Sequence, residues 1–274
     1  MNSKLILERD KMIKINFPLR QLFVICLIFI CNESFAANRF WVGAGSGLWN
    51  STANWSNVSG GTPGFSIPGA SDIAYFDGGN TNNCQINTNV NVAGFNITGL
   101  YAGTISANSG IITTVGASGF SQAAGVFTGS NGSVSINGAF LLTGGVFNAT
   151  SGVLQLSGGY TFSGGTFNHN NGTVAFSLTQ TISGSTTFYS ILFASNGGIY
   201  TISSGTNITS LFNVTITGSS SCIINTGVLE IKGDLTLNAT QNNSSNGGTA
   251  TFLFNGNGAQ NITAAITAIN VGVN

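Results

Sequence analysis

The chain has 274 residues, of which 42% are hydrophobic, 39 are glycine and only 5% are charged. After residue 36 there are two bases and four acids, a formal charge of −2; they are Arg39, Lys232, Asp72, Asp77, Glu230 and Asp234. This composition excludes a nucleic-acid-binding face, which needs several Lys or Arg contacts to phosphate, and a basic surface for anionic lipid. Phe, Ile, Val and Leu nevertheless recur at a fixed period, which disordered segments lack. We therefore expect one elongated, charge-poor folded domain.

The first 36 residues have the features of a secretory signal peptide. A ten-residue apolar run at 22–31 (LFVICLIFIC) follows Lys14 and Arg20 and precedes Ser34-Phe35-Ala36, a cleavage pattern with two small residues. The run is too short to span a bilayer. We therefore predict removal of residues 1–36, no membrane insertion afterwards, and a secreted or outer-surface location.

Residues 37–80 contain every tryptophan of the chain. The pattern is Trp41-x-Gly43-x-Gly45-Ser46-Gly47-x-Trp49, followed by Asn54-Trp55. A β-solenoid exposes unpaired strand N–H and C=O groups and apolar core at its first coil, so it needs a terminal cap. We predict that the three tryptophan rings cap the first coil. The alternative is an exposed platform on which sugars stack.

This tryptophan pattern resembles the head segment of large repeat-rich surface proteins of Bacteroidota, where it precedes β-solenoid repeats. The resemblance implies export and cell-surface adhesion. Members of that family often end in a C-terminal sorting domain, which residues up to 274 do not show. Either the last coil is left open, or this sequence is the front part of a longer protein.

Residues 119–178 consist of three consecutive 20-residue units. Three columns do not vary between the units, and they are Gly125/Gly145/Gly165, Phe127/Phe147/Phe167 and Gly132/Gly152/Gly172. Such self-similarity is typical of a solenoid, and the alternation of apolar and polar residues within each unit is typical of strands. We predict an all-β parallel solenoid of roughly nine coils over residues 81–274, with the three phenylalanine rings stacked. The invariant glycines mark corners with positive φ or close contact between coils.

Two further expectations concern the register of the coils. Asn148 and Asn168 occupy one column and predict an asparagine ladder. After Leu178 the register loosens, but the QTIS segment at 180–183 recurs as QNIT at 260–263, four periods of 20 later. We expect the two segments to occupy equivalent places in their coils.

The mature region has two cysteines, Cys84 and Cys222. They are 138 residues apart, which is about seven coils or roughly 33 Å along a solenoid axis. A disulfide requires Cα atoms within about 7 Å. We therefore predict that they form no disulfide with each other and are buried free thiols, without the neighbouring Cys or His that a metal site requires.

Groups able to support chemistry are few. His169 lies in a turn without a nucleophile or carboxylate nearby in sequence, and Glu230 and Asp234 are separated by Lys232 on a predicted solvated face. Four residues along a strand span ~13 Å, more than a glycosidase carboxylate pair requires. Asp72 and Asp77 are expected to be turn or cap residues, with a calcium site as the alternative. We predict no catalytic residue, no cofactor and no metal.

Three functional classes follow from these features. The first is an exported structural or adhesive protein that presents a polar Ser/Thr/Asn surface to a host or neighbouring cell, to matrix or to glycan. The second is a secreted β-helix that binds or degrades polysaccharide, although degradation needs clustered catalytic side chains. The third is an ice-binding-like lattice, suggested by Thr-x-Thr at 215–217 and 249–251 but absent as a ladder from the central units.

Overall fold

The computed structural model describes residues 36–43, 47–194, 197–218, 222–238 and 248–264. The predicted signal peptide, up to residue 35, lies outside the described residues, as do Gly45, Ser46 and residues 265–274. Within the described ranges, no helix is both long and apolar enough to cross a membrane. The one helical element there is a 3-10 turn at Thr52–Asn54.

All other regular elements of the described residues are short strands. In the first part of the chain they are β1 (Asn38–Trp41), β2 (Trp55–Ser56), β3 (Ile73–Phe76), β4 (Cys84–Ile86), β5 (Val90–Ile97), β6 (Thr104–Ala107), β7 (Thr113–Gln122), β8 (Val126–Thr128), β9 (Val134–Ile136), β10 (Phe140–Leu142), β11 (Val146–Asn148), β12 (Val153–Leu156) and β13 (Tyr160–Phe162). They continue as β14 (Thr166–Asn168), β15 (Thr173–Phe176), β16 (Gln180–Ser183), β17 (Thr186–Phe188), β18 (Ser190–Ala194), β19 (Ile199–Ile202), β20 (Asn207–Ser210), β21 (Val214–Thr217), β22 (Ile223–Asn225), β23 (Val228–Ile231), β24 (Leu235–Leu237), β25 (Thr251–Phe254) and β26 (Ile262–Ala264).

These strands form a three-sided parallel β-solenoid of about eight turns, which confirms the predicted fold class. Face 1 contains β1, β3, the second halves of β5 and β7, then β10, β13, β16, β19 and β22. Face 2 contains the first halves of β5 and β7, then β9, β12, β15, β18, β21, β24 and β26. Face 3 contains β4, β6, β8, β11 and β14, and continues with β17, β20, β23 and β25. Each coil runs from face 3 to face 2 to face 1.

The central coils place identical side chains above each other in the core. The rings of Phe127 and Phe147 stack with centroids 5.1 Å apart, and those of Phe147 and Phe167 with centroids 5.6 Å apart. On face 1, the ring of Phe140 stacks between those of Phe120 and Tyr160, at 5.5 and 5.2 Å. The predicted phenylalanine column is therefore present, although Phe167 is only partly buried because face 3 is not hydrogen-bonded continuously from β14 to β17.

The two invariant glycine columns differ in backbone conformation. Gly125, Gly145 and Gly165 turn the chain from face 1 to face 3 with φ of +61°, +75° and +83°, where a side chain would be strained. Gly132, Gly152 and Gly172, at the corner from face 3 to face 2, are absent from the positive-φ residues. There a Cβ would be too close to the preceding coil: at Gly132 it would overlap the carbonyl oxygen of Ile111, and at Gly172 that of Thr150. Both predicted reasons therefore apply: close contact between coils in both columns, and positive φ in the first.

The 20-residue period holds in the centre and is lost afterwards, as expected. Tyr160 pairs with Ile182, and Tyr200 with Ile224, so these coils have 22 and 24 residues. The structure has about eight turns, close to the roughly nine that were predicted. The predicted equivalence of 180–183 and 260–263 is wrong, because β16 belongs to face 1 whereas β26 pairs with β24 on face 2.

The head segment shares the parallel sheet of the repeats and also covers its first edge. On face 1, β1 pairs in parallel with β3 and in antiparallel with β2, so its outer edge is not left open. On face 3, the N–H of Trp49 donates to the carbonyl of Gln85 and the N–H of Gln85 to that of Gly47. The predicted cap segment 37–80 therefore contributes strands to the sheet that continues through residues 81–264.

We expect Phe147→Ala to destabilise the protein by ~3–5 kcal/mol, because Phe147 is fully buried and stacked on both ring faces. Leu178→Ala is the control, since Leu178 is 57% exposed and should change the free energy of unfolding by less than ~0.5 kcal/mol. Chemical denaturation of both variants measures the difference. Equal losses would show that this column is not the core.

Two glycine substitutions test the close contact between coils. Gly132→Ala should destabilise strongly, because its Cβ would overlap the backbone of the preceding coil. Gly99→Ala should be neutral or slightly stabilising, since a Cβ there meets nothing within 4 Å and alanine restricts the unfolded chain. Thermal melts compare the two, and a tolerated Gly132→Ala would contradict the stacking at this corner.

Candidate functional site

The three tryptophans lie inside the cap. Trp41, Trp49 and Trp55 are 0%, 1% and 0% exposed. The ring of Trp55 packs edge-on against those of Trp41 and Trp49, with centroids 5.2 and 4.8 Å away. The indole nitrogens of Trp41 and Trp55 donate to the carbonyls of Asn82 and Trp49 at 2.9 and 2.8 Å. This burial rules out the alternative of an exposed sugar-stacking platform at these rings.

Asp72 and Asp77 are engaged in backbone turns. The carboxylate of Asp72 accepts the N–H groups of Ala37 and Gly69 at 3.1 and 2.9 Å, and Asp77 accepts that of Gly79 at 2.9 Å. The structure therefore favours the turn interpretation over a calcium site. Across the described ranges, no group of three or more His, Cys, Asp or Glu side chains is placed to hold a metal.

Cys84 and Cys222 are both buried and free. Burial raises the pKa of the Cys222 thiol to about 12 and that of Cys84 well above its ordinary value. Both thiols are therefore protonated at neutral pH and poorly reactive.

Polar side chains form hydrogen-bonded columns on the outside of the coils. On face 3, Asn168 Nδ2 donates to Asn148 Oδ1 at 2.7 Å, and Asn148 Nδ2 donates to Thr128 Oγ1 at 3.1 Å. This is the predicted asparagine ladder. Later on the same face, Thr187 pairs with Thr209, and Thr209 with Glu230, in successive coils.

Glu230 connects three coils. Its Oε2 accepts from Thr209 Oγ1 at 2.7 Å in the preceding coil, and its Oε1 accepts from Asn255 Nδ2 at 2.6 Å in the following one. Lys232 Nζ lies 3.0 Å from the same Oε1. The Glu230 side chain is only 12% exposed, so it is more covered than the predicted solvated face. Hydrogen bonds from Thr209, Asn255 and Lys232 lower its pKa from 4.5 to about 2, so it is a weak proton acceptor at neutral pH.

A threonine column that the sequence did not reveal lies on face 2. Thr215 pairs with Thr236, and Thr236 with Thr263, in three successive coils. Beside them Asp234 N–H donates to Asn213 Oδ1 at 3.1 Å, and Asn261 N–H donates to Asp234 Oδ1 at 2.8 Å. The threonines are 21 and 27 residues apart, so a search at a period of 20 does not align them.

His169 is a turn residue, as predicted, but it has ordered contacts. Its Nδ1 accepts the N–H of Asn171 at 3.1 Å, and its ring stacks on that of Tyr189 at 5.7 Å. In the described part of the chain, neither contact of the imidazole involves a carboxylate or a nucleophilic hydroxyl.

Comparison with protein-family models, with curated proteins and with solved structures finds no match to this chain.

The pKa of Glu230 gives a prediction for pH. Because folding lowers this pKa, Glu230 stabilises the fold above pH 4.5, and the contribution is lost as pH falls towards 2. We expect Glu230→Gln to lower the melting temperature at pH 7 and the difference from wild type to vanish near pH 2. Melting curves between pH 2 and 7 measure it. Asp77→Asn is the control. A difference in melting temperature between Glu230→Gln and wild type that persists unchanged at pH 2 would contradict the assigned contacts.

Proposed function

We propose that this protein is exported and acts as a structural or adhesive element that presents a regular polar surface to cells, matrix or glycan. The observation that carries the proposal is the outward column of hydrogen-bonded Thr and Asn side chains on face 3. Stacking repeats each outward position about every 4.8 Å, so a weak polar contact is multiplied along the axis. The rigid core beneath holds these groups in place before a partner arrives, which lowers the entropic cost of binding.

The chemistry of the charged groups also supports binding rather than turnover. General acid-base catalysis needs a group whose pKa is near the working pH, whereas the pKa of Glu230 is about 2. This carboxylate is already occupied by Thr209, Asn255 and Lys232. The position of the Glu230 carboxylate is explained by the hydrogen bonds with which it connects neighbouring coils.

The test is a binding and turnover assay on the purified chain from residue 37 on. We expect saturable adhesion to cells, to a matrix protein or to glycan, and no release of reducing ends or unsaturated uronates from a polysaccharide panel. Turnover that disappears in Glu230→Gln or Asp234→Asn would replace the adhesive function with the polysaccharide-degrading one. Absence of any adhesion would defeat the proposal.

A lattice-binding function is the second candidate, favoured by the column of Thr215, Thr236 and Thr263. The threonines repeat about every 4.8 Å along the axis, and the parallel Asn213, Asp234 and Asn261 column lies two residues, or about 6.6 Å, away along the strands. If this surface binds ice, the protein should inhibit ice recrystallisation and Thr236→Lys should abolish the inhibition. Thr161→Lys, on face 1, is the control, and equal activity of both variants would exclude the column.

A further inference from the structure

We propose that the corner between faces 3 and 2 binds a neutral glycan chain, with the exposed ring of Phe212, supported by the stacked ring of Tyr189, as its aromatic contact. The inference rests on the proposed adhesive function and names the partner class and the binding residues. Hereafter this surface is called the aromatic corner, and it consists of His169, Tyr189, Phe212, Lys232 and Asp234.

A ladder of rings runs along the outside of this corner. His169, Tyr189 and Phe212 follow β14, β17 and β20 in successive coils. The Tyr189 ring stacks with that of His169 at 5.7 Å and with that of Phe212 at 5.3 Å, with interplanar angles of 29° and 13°. The stacked rings of the Phe127 and Phe120 columns lie in the core, whereas Phe212 is 49% exposed. Exposed aromatic groups bordered by polar residues are a feature of binding surfaces.

The ladder ends at Phe212 for a structural reason. At the equivalent place in the next coil lies Gly233, where a Cβ would overlap the carbonyl oxygen of Phe212. Glycine has no side chain to continue the stack over the ring. One face of Phe212 is therefore not covered by the following coil, which agrees with its exposure, and an aromatic face is what the C–H groups of a sugar ring contact.

The charged groups of the repeats are concentrated at the same place. Residues 81–274 contain one histidine and three charged residues, and these are His169, Glu230, Lys232 and Asp234. Lys232 and Asp234 lie at the Phe212 end of this corner, and His169 lies at its other end. Glu230 lies beside the corner on face 3, where it is paired with Lys232. Ligand sites typically combine an aromatic contact surface with a few polar groups. Carboxylate and ammonium groups suit the hydroxyl groups of a sugar, as acceptors and donors respectively.

The charge balance favours a neutral glycan over an acidic one. Glu230 and Asp234 against Lys232 leave one net negative charge, and the pKa of Glu230 is low enough to keep it ionised above about pH 2. A uronate or sulfate would be repelled. From His169 to Lys232 the corner spans three coil intervals, or roughly 14 Å, so an extended chain running along the axis would contact it over several sugar units.

The test is affinity electrophoresis of the folded chain from residue 37 on, in native gels that contain hydroxyethylcellulose, xyloglucan or laminarin, with alginate as the acidic polysaccharide. We expect retardation by at least one neutral polysaccharide and none by alginate. Phe212→Ala should weaken binding about tenfold or more, as expected for a central aromatic contact. Tyr189→Ala should weaken binding as well, because it removes the ring on which Phe212 stacks. Phe65→Ala is the matched control, since Phe65 is an exposed ring of the head segment, and it should bind as the wild type does.

Melting curves show whether the variants are folded, and Phe212→Leu replaces Phe212→Ala if the latter unfolds. Unchanged glycan binding in both ring variants would overturn the aromatic corner and leave the adhesive function standing. Retardation by alginate alone, or adhesion only to cells or matrix protein, would also overturn the aromatic corner and leave the adhesive function standing. Failure to bind cells, matrix and every polysaccharide would overturn both proposals.

Discussion

In-register stacking of aromatic rings in the core is the interaction on which the rest of the structure depends. The column of Phe127 and Phe147 on face 3 meets the column of Phe120 and Phe140 on face 1 edge-to-face, with centroids 5.3 Å apart between Phe120 and Phe147. Because side chains alternate along a strand, a slip of one residue would turn each ring outward. The interlocked rings therefore fix the register of faces 1 and 3 together.

A fixed register has a direct consequence for the surface. Each outward residue lies above its counterpart in the preceding coil, so the exterior consists of columns such as Thr128, Asn148 and Asn168. The column to which a residue belongs therefore determines which side chains lie beside it on the surface. This is how residues distant in sequence, His169 and Lys232, come to lie on one corner together with Tyr189 and Phe212.

The sequence predicted the fold where the repeats have equal length, and it predicted the surface less well where they do not. The central glycines, phenylalanines and Asn148–Asn168 pair were visible because each recurs after 20 residues. Tyr189 follows His169 by 20 residues but Phe212 follows Tyr189 by 23, and the three side chains differ in type, so a search at a period of 20 does not bring Phe212 into line with the other two. The length of each such coil depends on how its corners pack against the neighbouring coils. A fixed period in the sequence carries no information about that packing.

The proposed aromatic corner, held by this register, contacts a partner glycan. Hydroxyl-radical footprinting with and without a bound neutral polysaccharide tests it most directly, because aromatic side chains are oxidised where they are accessible. We expect the glycan to protect Phe212, and to a lesser degree the half-buried Tyr189, while the oxidation of Phe65 in the head segment stays unchanged. Protection confined to the head segment, with Tyr189 and Phe212 oxidised as in the free protein, would contradict it.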